Sequence, residues 1–158
     1  MNSDLIQNSK FKIQNFPIGF TLLEVLLSVA AIAIIAGMGI PVYQLFQNRN
    51  DLDIATVTIA QSARRAQVLS QAVDGDISWG ITIQSGSVVI FKGPSYAGRD
   101  SIFDEVFEVS TSITQSGMSE IVFAKFTGLP QTTGTITLTS ANNETRNVIV
   151  NSKGMIDY

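Results

Sequence analysis

From Val25 to Asn48 the chain carries no charged residue, and most of that run is Val, Leu, Ile, Ala and Gly. Phe20 to Tyr43 supplies the roughly 20 apolar helical residues that a hydrocarbon core of about 30 Å requires, with Glu24 as its one ionisable side chain. Beyond it, Leu52, Ala55, Ile59, Ala63, Ala66, Leu69 and Val73 recur every three or four residues, while Asp51, Asp53, Gln61, Arg64, Arg65 and Gln71 take other faces. The spacing predicts one helix that leaves the apolar stretch and becomes amphipathic. Drawn from Phe20 to Val73, it would be on the order of 80 Å long at 1.5 Å per residue. Asp74-Gly75-Asp76 is the expected stop, with Gly75 as C-cap.

After Asp76 the pattern changes to β-branched alternation broken by Gly, Ser, Thr and Asn. Strands are expected at 78–84, 87–92, 106–113, 120–126, 135–139 and 147–151, with a short last one at 155–158. Ser85-Gly86, Asn142-Asn143 and Lys153-Gly154 mark tight hairpins, and Gly93 to Asp104 reads as an exposed loop. The class predicted is α+β: a long N-terminal helix, membrane-spanning over 20–43 and amphipathic over 44–76, packed on an antiparallel β head over 77–158.

Composition narrows the chemistry. At 158 residues the chain has room for one domain and an appendage. It contains neither Cys nor His, which excludes disulfides, thiolate nucleophiles, imidazole bases and the usual zinc sites. The net charge of −3 gives no overall attraction to nucleic acid. Lys10 and Lys12 precede the span with only Asp4 as an acid, so residues 1–19 are expected on the cytoplasmic side and the head outside. A cleaved secretory signal would need a small-residue site beyond the apolar run, and Pro41-Val42-Tyr43-Gln44 offers none.

Glu24 sits where a carboxylate costs roughly 2.5–3.5 kcal/mol if it reaches mid-membrane. It can snorkel to the headgroups, or it can have a partner. Gly19-Phe20-Thr21-Leu22-Leu23-Glu24, followed by the apolar run, resembles the class III leader junction of type IV pilins and type II secretion pseudopilins. The resemblance implies a 1–19 leader, cleavage after Gly19 by prepilin peptidase and N-methylation of Phe20. It makes Glu24 the fifth residue of the processed chain and a determinant of filament assembly. Cleavage would create an α-amino group four residues from Glu24, which that carboxylate can neutralise on the same helix or on a neighbouring subunit. Pro41, 22nd from Phe20, falls where pilins commonly carry a helix-breaking Pro; its ring would meet the Gly37 carbonyl. The family implication is local melting of the helix between Glu24 and Pro41 in the filament, and a kinked membrane helix is the ordinary alternative.

In the head, Phe123-x-x-Phe126-x-Gly128-x-Pro130, Gly134-x-Ile136-x-Leu138, Val148-x-Val150 and Gly154 resemble the H-type minor pseudopilins and the minor pilins of DNA uptake. Without Cys there is no C-terminal disulfide loop, which favours the pseudopilin or minor-pilin type. The partners implied are prepilin peptidase, other pilins or pseudopilins, and inner-membrane lipid.

Other residues carry less. Asp104, Glu105 and Glu108, with Asp100, could bind calcium or do acid–base work, but read more simply as an acidic strand edge. Asp74, Asp76, Asn142, Asn143 and Glu144 would need the fold to gather them around an ion. Arg64-Arg65 is a solvated helix face or an anion site. Trp79 is an expected anchor of the first strand on the helix. Gly128 and Gly134 precede no helix, so no cofactor is expected. Lys125, Arg146 and Lys153 are the only cations of the last third and make a weak DNA footprint, so DNA is not an expected partner. No nucleophile has a visible base beside it, and no enzyme is expected.

Overall fold

The computed structural model describes residues 19–72 and 76–158, and for 38–41 the backbone alone. Residues 1–18 of the expected 1–19 leader, and Val73, Asp74 and Gly75, which include the first two residues of the expected Asp74-Gly75-Asp76 stop, lie outside the described residues. Helix α1 (Leu22–Gln71) is followed by eight strands among the described residues. These are β1 (Trp79–Gln84), β2 (Ser87–Lys92), β3 (Asp100–Glu108), β4 (Thr114–Gly117), β5 (Glu120–Phe123), β6 (Gly134–Thr139), β7 (Thr145–Val150) and β8 (Ile156–Asp157). The α+β class, a long N-terminal helix with antiparallel sheet, is as expected.

The chain divides into two compact units, one ending at Gly39 and one running from Ile40 to Tyr158. In the first, α1 is long and apolar enough to cross a membrane, and its most apolar stretch is not buried. Leu22, Leu26, Ile32 and Ile35 are all exposed. The backbone is helical through Pro41.

In the second unit two four-stranded antiparallel sheets form, in the orders β3-β2-β1-β5 and β4-β6-β7-β8. One core joins them to α1: Leu52, Ala55, Ile59, Ala63 and Ala66 of the helix, Ile81, Ile90, Ile121 and Phe123 of the first sheet, and Ile136, Val148 and Val150 of the second. The small residues at helix positions 55, 60, 63 and 66 let the sheets lie close to the helix. Ser70, fully buried, ties its end to the first sheet. Its Oγ accepts the Trp79 N–H at 2.9 Å and donates to the Phe123 carbonyl at 3.1 Å, with the Trp79 carbonyl at 3.3 Å as the alternative acceptor. Trp79 is buried in this core, as expected of an anchor.

The first sheet is buried on both faces in β1 and β2. The face away from the helix is covered by residues 93–99, whose Tyr96 meets Phe91 edge-on at 5.7 Å. Phe91 in turn lies over Gly80, where any Cβ would come within 2.7 Å of the ring. The expected exposed loop is thus shorter and pinned down: the Tyr96 N–H donates to Glu120 Oε1 at 2.9 Å, and Arg99 holds the Tyr96 carbonyl and Asp104 at 2.8 Å each.

Several strand limits differ from expectation. The third strand spans Asp100–Glu108 rather than 106–113, because it pairs with β2 from Lys92↔Asp100 to Ser87↔Glu108 across a register shift. Thr114–Gly117 was not expected as a strand; its polar sequence carries no alternation, and pairing with β6 makes it one. The strand expected at 120–126 stops at Phe123, since Phe126 has a left-handed backbone (φ 67°) and its N–H donates to the Ser70 carbonyl at 3.0 Å.

Candidate functional site

The sequence before α1 sets the geometry of its start. Thr21 is the N-cap: its Oγ1 accepts the Glu24 N–H at 3.2 Å and its carbonyl accepts the Val25 N–H at 3.1 Å. With Glu three residues on, this is the spacing of a capping box, and an acid in the first turn complements the helix dipole. Ser28 Oγ donates to the Glu24 carbonyl at 2.7 Å. Gly19 and Phe20 precede the helix, and Phe20 is 81% exposed. A Cβ on Gly19 would meet nothing within 4 Å, so packing among the described residues gives no reason for glycine there. Glu24 is exposed, and among the described residues no cation pairs with it. Pro41 lies within α1, 17 residues beyond Glu24; its side chain is outside the description.

The remaining charged residues are mostly used to fasten helix to sheets in the second unit. Arg65 grips Glu105 through two 2.7 Å hydrogen bonds, which hold the Glu105 carboxyl below its ordinary range and raise the Arg65 guanidinium. Arg64 donates to the Ile156 carbonyl at 3.0 Å and lies 5.1 Å from the Tyr158 ring centre. Both arginines are exposed, as the solvated-face reading expects, and both also reach the sheets. The acidic stretch is an edge strand, as expected, yet two of its acids are engaged, since Arg99 bonds Asp104 at 2.8 Å.

The ion-binding group imagined from Asp76, Asn142 and Glu144 does not assemble: Asp76 pairs with Lys125 at 3.1 Å, whereas Asn142 bonds Asn48 and Glu144 bonds Arg49. Asp74 lies outside the described residues. Arg146 is drawn to Asp53 at 3.1 Å, so two of the three cations considered for DNA have acidic neighbours. Sequence reading missed Arg49, Asp53, Gln67 and Ser70 as fasteners. A signal existed for Arg146: alternation puts it on the same face of β7 as buried Val148 and Val150.

A cleft of about 260 Å³ opens between the sheets, lined by Ala55, Ile59, Ile83, Ile113 and Leu138 among others. Its lining holds no acid or base. No protein-family model matches the chain, and no solved structure matches it.

Proposed function

We propose that this chain is a prepilin: a minor pseudopilin or minor pilin cut after Gly19 by prepilin peptidase, N-methylated on Phe20, and assembled through its N-terminal helix into a type IV pilus-like filament. Its role is structural, in type II secretion or pilus assembly, and asks no catalysis and no cofactor of the chain itself. The observation that carries the reading is the junction Gly19-Phe20-Thr21-Leu22-Leu23-Glu24 directly before an apolar helix that is not buried, with a glycine for which packing among the described residues gives no reason. A peptidase that selects glycine supplies the reason.

In this reading the helix sits in the inner membrane before assembly, N-terminus cytoplasmic and head outside. Its apolar surface then passes from lipid to neighbouring helices in the filament. Glu24 pairs with the new α-amino group of an adjoining subunit, and Pro41 with Gly37 and Gly39 weakens the helix between them for packing.

The test is intact mass and N-terminal sequencing of the chain extracted from membranes of a host with prepilin peptidase, beside a Gly19→Val control. A chain beginning at methylated Phe20 only in the parent supports the reading. An uncut chain, or one cut after Pro41, removes it. The DNA-capturing alternative predicts a salt-dependent shift that is lost on changing Arg146 and Lys153.

A further inference from the structure

Within the second unit the surroundings of α1 change abruptly. Val42, Tyr43 and Phe46 are exposed, Phe46 at 63%, whereas Leu52 is fully buried. Phe46 and Leu52 are about 9 Å apart along the axis at 1.5 Å per residue. Across that interval the turn between β6 and β7 is clamped to the helix. Asn48 Nδ2 donates to Asn142 Oδ1 at 3.1 Å, and Arg49 Nε donates to Glu144 Oε1 at 2.7 Å. The turn is closed in itself, since the Asn143 N–H meets the Ser140 carbonyl and the Ser140 N–H the Glu144 carbonyl, both at 2.9 Å. Asn48 is also where the uncharged run of the sequence ends.

The other end of the head is fixed to α1 as well. Gln67 Nε2 donates to the Gly128 and Gly154 carbonyls at 3.0 Å each. Gln67 lies about 27 Å farther along the helix than Arg49, so the head has two distinguishable ends.

The chemistry of the first end is particular. Gln44, Gln47, Asn50, Asn142 and Asn143 are exposed and Asn48 is half-buried, so its polar groups are chiefly amides. Its arginines are already committed, Arg49 to Glu144 at 2.7 Å and Arg146 to Asp53 at 3.1 Å. Asp51 adds a further negative charge. That leaves uncharged donors and acceptors, and no spare cation for an acidic lipid. Tyr43 and Phe46, three residues apart and so on one helix face, stand next to these amides, and aromatic rings are favoured where apolar helix meets headgroups.

We infer that the 140–144 turn, with Asn48 and Arg49, is the membrane-facing floor of the head, and that its partner is the headgroup layer of the bilayer. Val42, Tyr43 and Phe46 enter the interface. The amides of helix and turn hydrogen-bond to headgroup oxygens, and the clamp at Asn48 and Arg49 keeps the turn at that level. Because the contact is made through neutral groups, it needs no acidic lipid and is not screened by salt. It rests on the part of the proposed function that puts α1 in a membrane, and not on cleavage at Gly19.

The chain has no Cys, so a single label can be placed at will. Full-length Ala141→Cys and Ser152→Cys, both at exposed positions, are labelled with a small fluorophore and reconstituted into phosphatidylcholine vesicles. A fraction of the lipid in both leaflets carries a nitroxide on its headgroup, so the orientation of the chain does not matter. Ala141 is on the floor and Ser152 is in the turn held by Gln67. The label at 141 should be quenched several-fold more than the label at 152. That difference should persist in high salt and when half of the lipid is phosphatidylglycerol. Equal quenching, or more at 152, in chains that alkaline carbonate leaves in the vesicles overturns the floor and keeps the membrane helix. Quenching at 141 that requires acidic lipid overturns the neutral contact. Release of the chain by alkaline carbonate overturns the floor and the membrane helix together.

Discussion

Two lengths of α1 treat their apolar side chains in opposite ways. Between Leu22 and Gly37 these side chains point to every side and stay exposed. Between Leu52 and Ser70 one face is buried, by Leu52, Ala55, Ile59, Ala63 and Ala66, and the other carries Asp53, Gln61 and Arg65. A helix that is apolar all round belongs in lipid or inside an assembly, whereas a one-sided helix has its partner within its own chain. The first length is therefore where partners outside the chain are expected, and the second is where the fold's stability resides.

The sharpest way to break that contrast is Glu24→Gln. An uncompensated charge in low dielectric costs about 3–5 kcal/mol, so on the proposed prepilin reading the variant should still enter the membrane but be nearly absent from sheared or cross-linked filaments. Normal incorporation would end the proposed pairing with the α-amino group. Next, Phe123→Ala should destabilise the head by about 3–5 kcal/mol, followed by denaturant melting in detergent, while Leu26→Ala should leave the same transition in place. If both move it, the two lengths are not independent. Ser70→Ala should cost about 1–3 kcal/mol, because the Trp79 N–H and the Phe123 carbonyl lose a buried partner; a chain as stable as the parent would mean that the strands close over the gap.

The smallest effect concerns pH. Arg65 lowers the Glu105 pKa in the folded state, so the folded chain takes up that proton less readily than the unfolded one. The resulting stability is complete above the ordinary glutamate value of about 4.3 and is lost as pH falls through the folded value. The pair is partly exposed and screened, so Glu105→Gln should change melting little at neutral pH and flatten its fall on the acid side. Identical acid limbs for parent and variant would show the ion pair to be without consequence.

Much of the candidate site could be read directly. Thr21 and Glu24 state a helix start in their own spacing, and the uncharged run after them states a helix long and apolar enough to cross a membrane. What the sequence could not indicate was that packing among the described residues leaves Gly19 free, since that needs the neighbours of its missing Cβ. In the head, strands with strong alternation, such as 79–84 and 87–92, were legible to within a residue. Thr114–Gly117 was not, because nothing in Thr-Gln-Ser-Gly favours a strand until β6 lies beside it. The start of the third strand was hidden for a related reason: Asp100 and Ser101 read as loop residues, and only their pairing with β2 extends them.

The sequence by itself determined the α+β class, the long helix, the change of its character near residue 50 and the order of most strands, because each depends on a periodicity carried by adjacent residues. Tertiary structure alone decided the division into two sheets, the burial of both faces of the first, and the choice of Glu105 for Arg65, Asp53 for Arg146 and Arg49 for Glu144. Those pairs stand 40, 93 and 95 residues apart in the chain. No local pattern can specify a partner at that distance; it is selected by the packing that brings the two side chains to the same place.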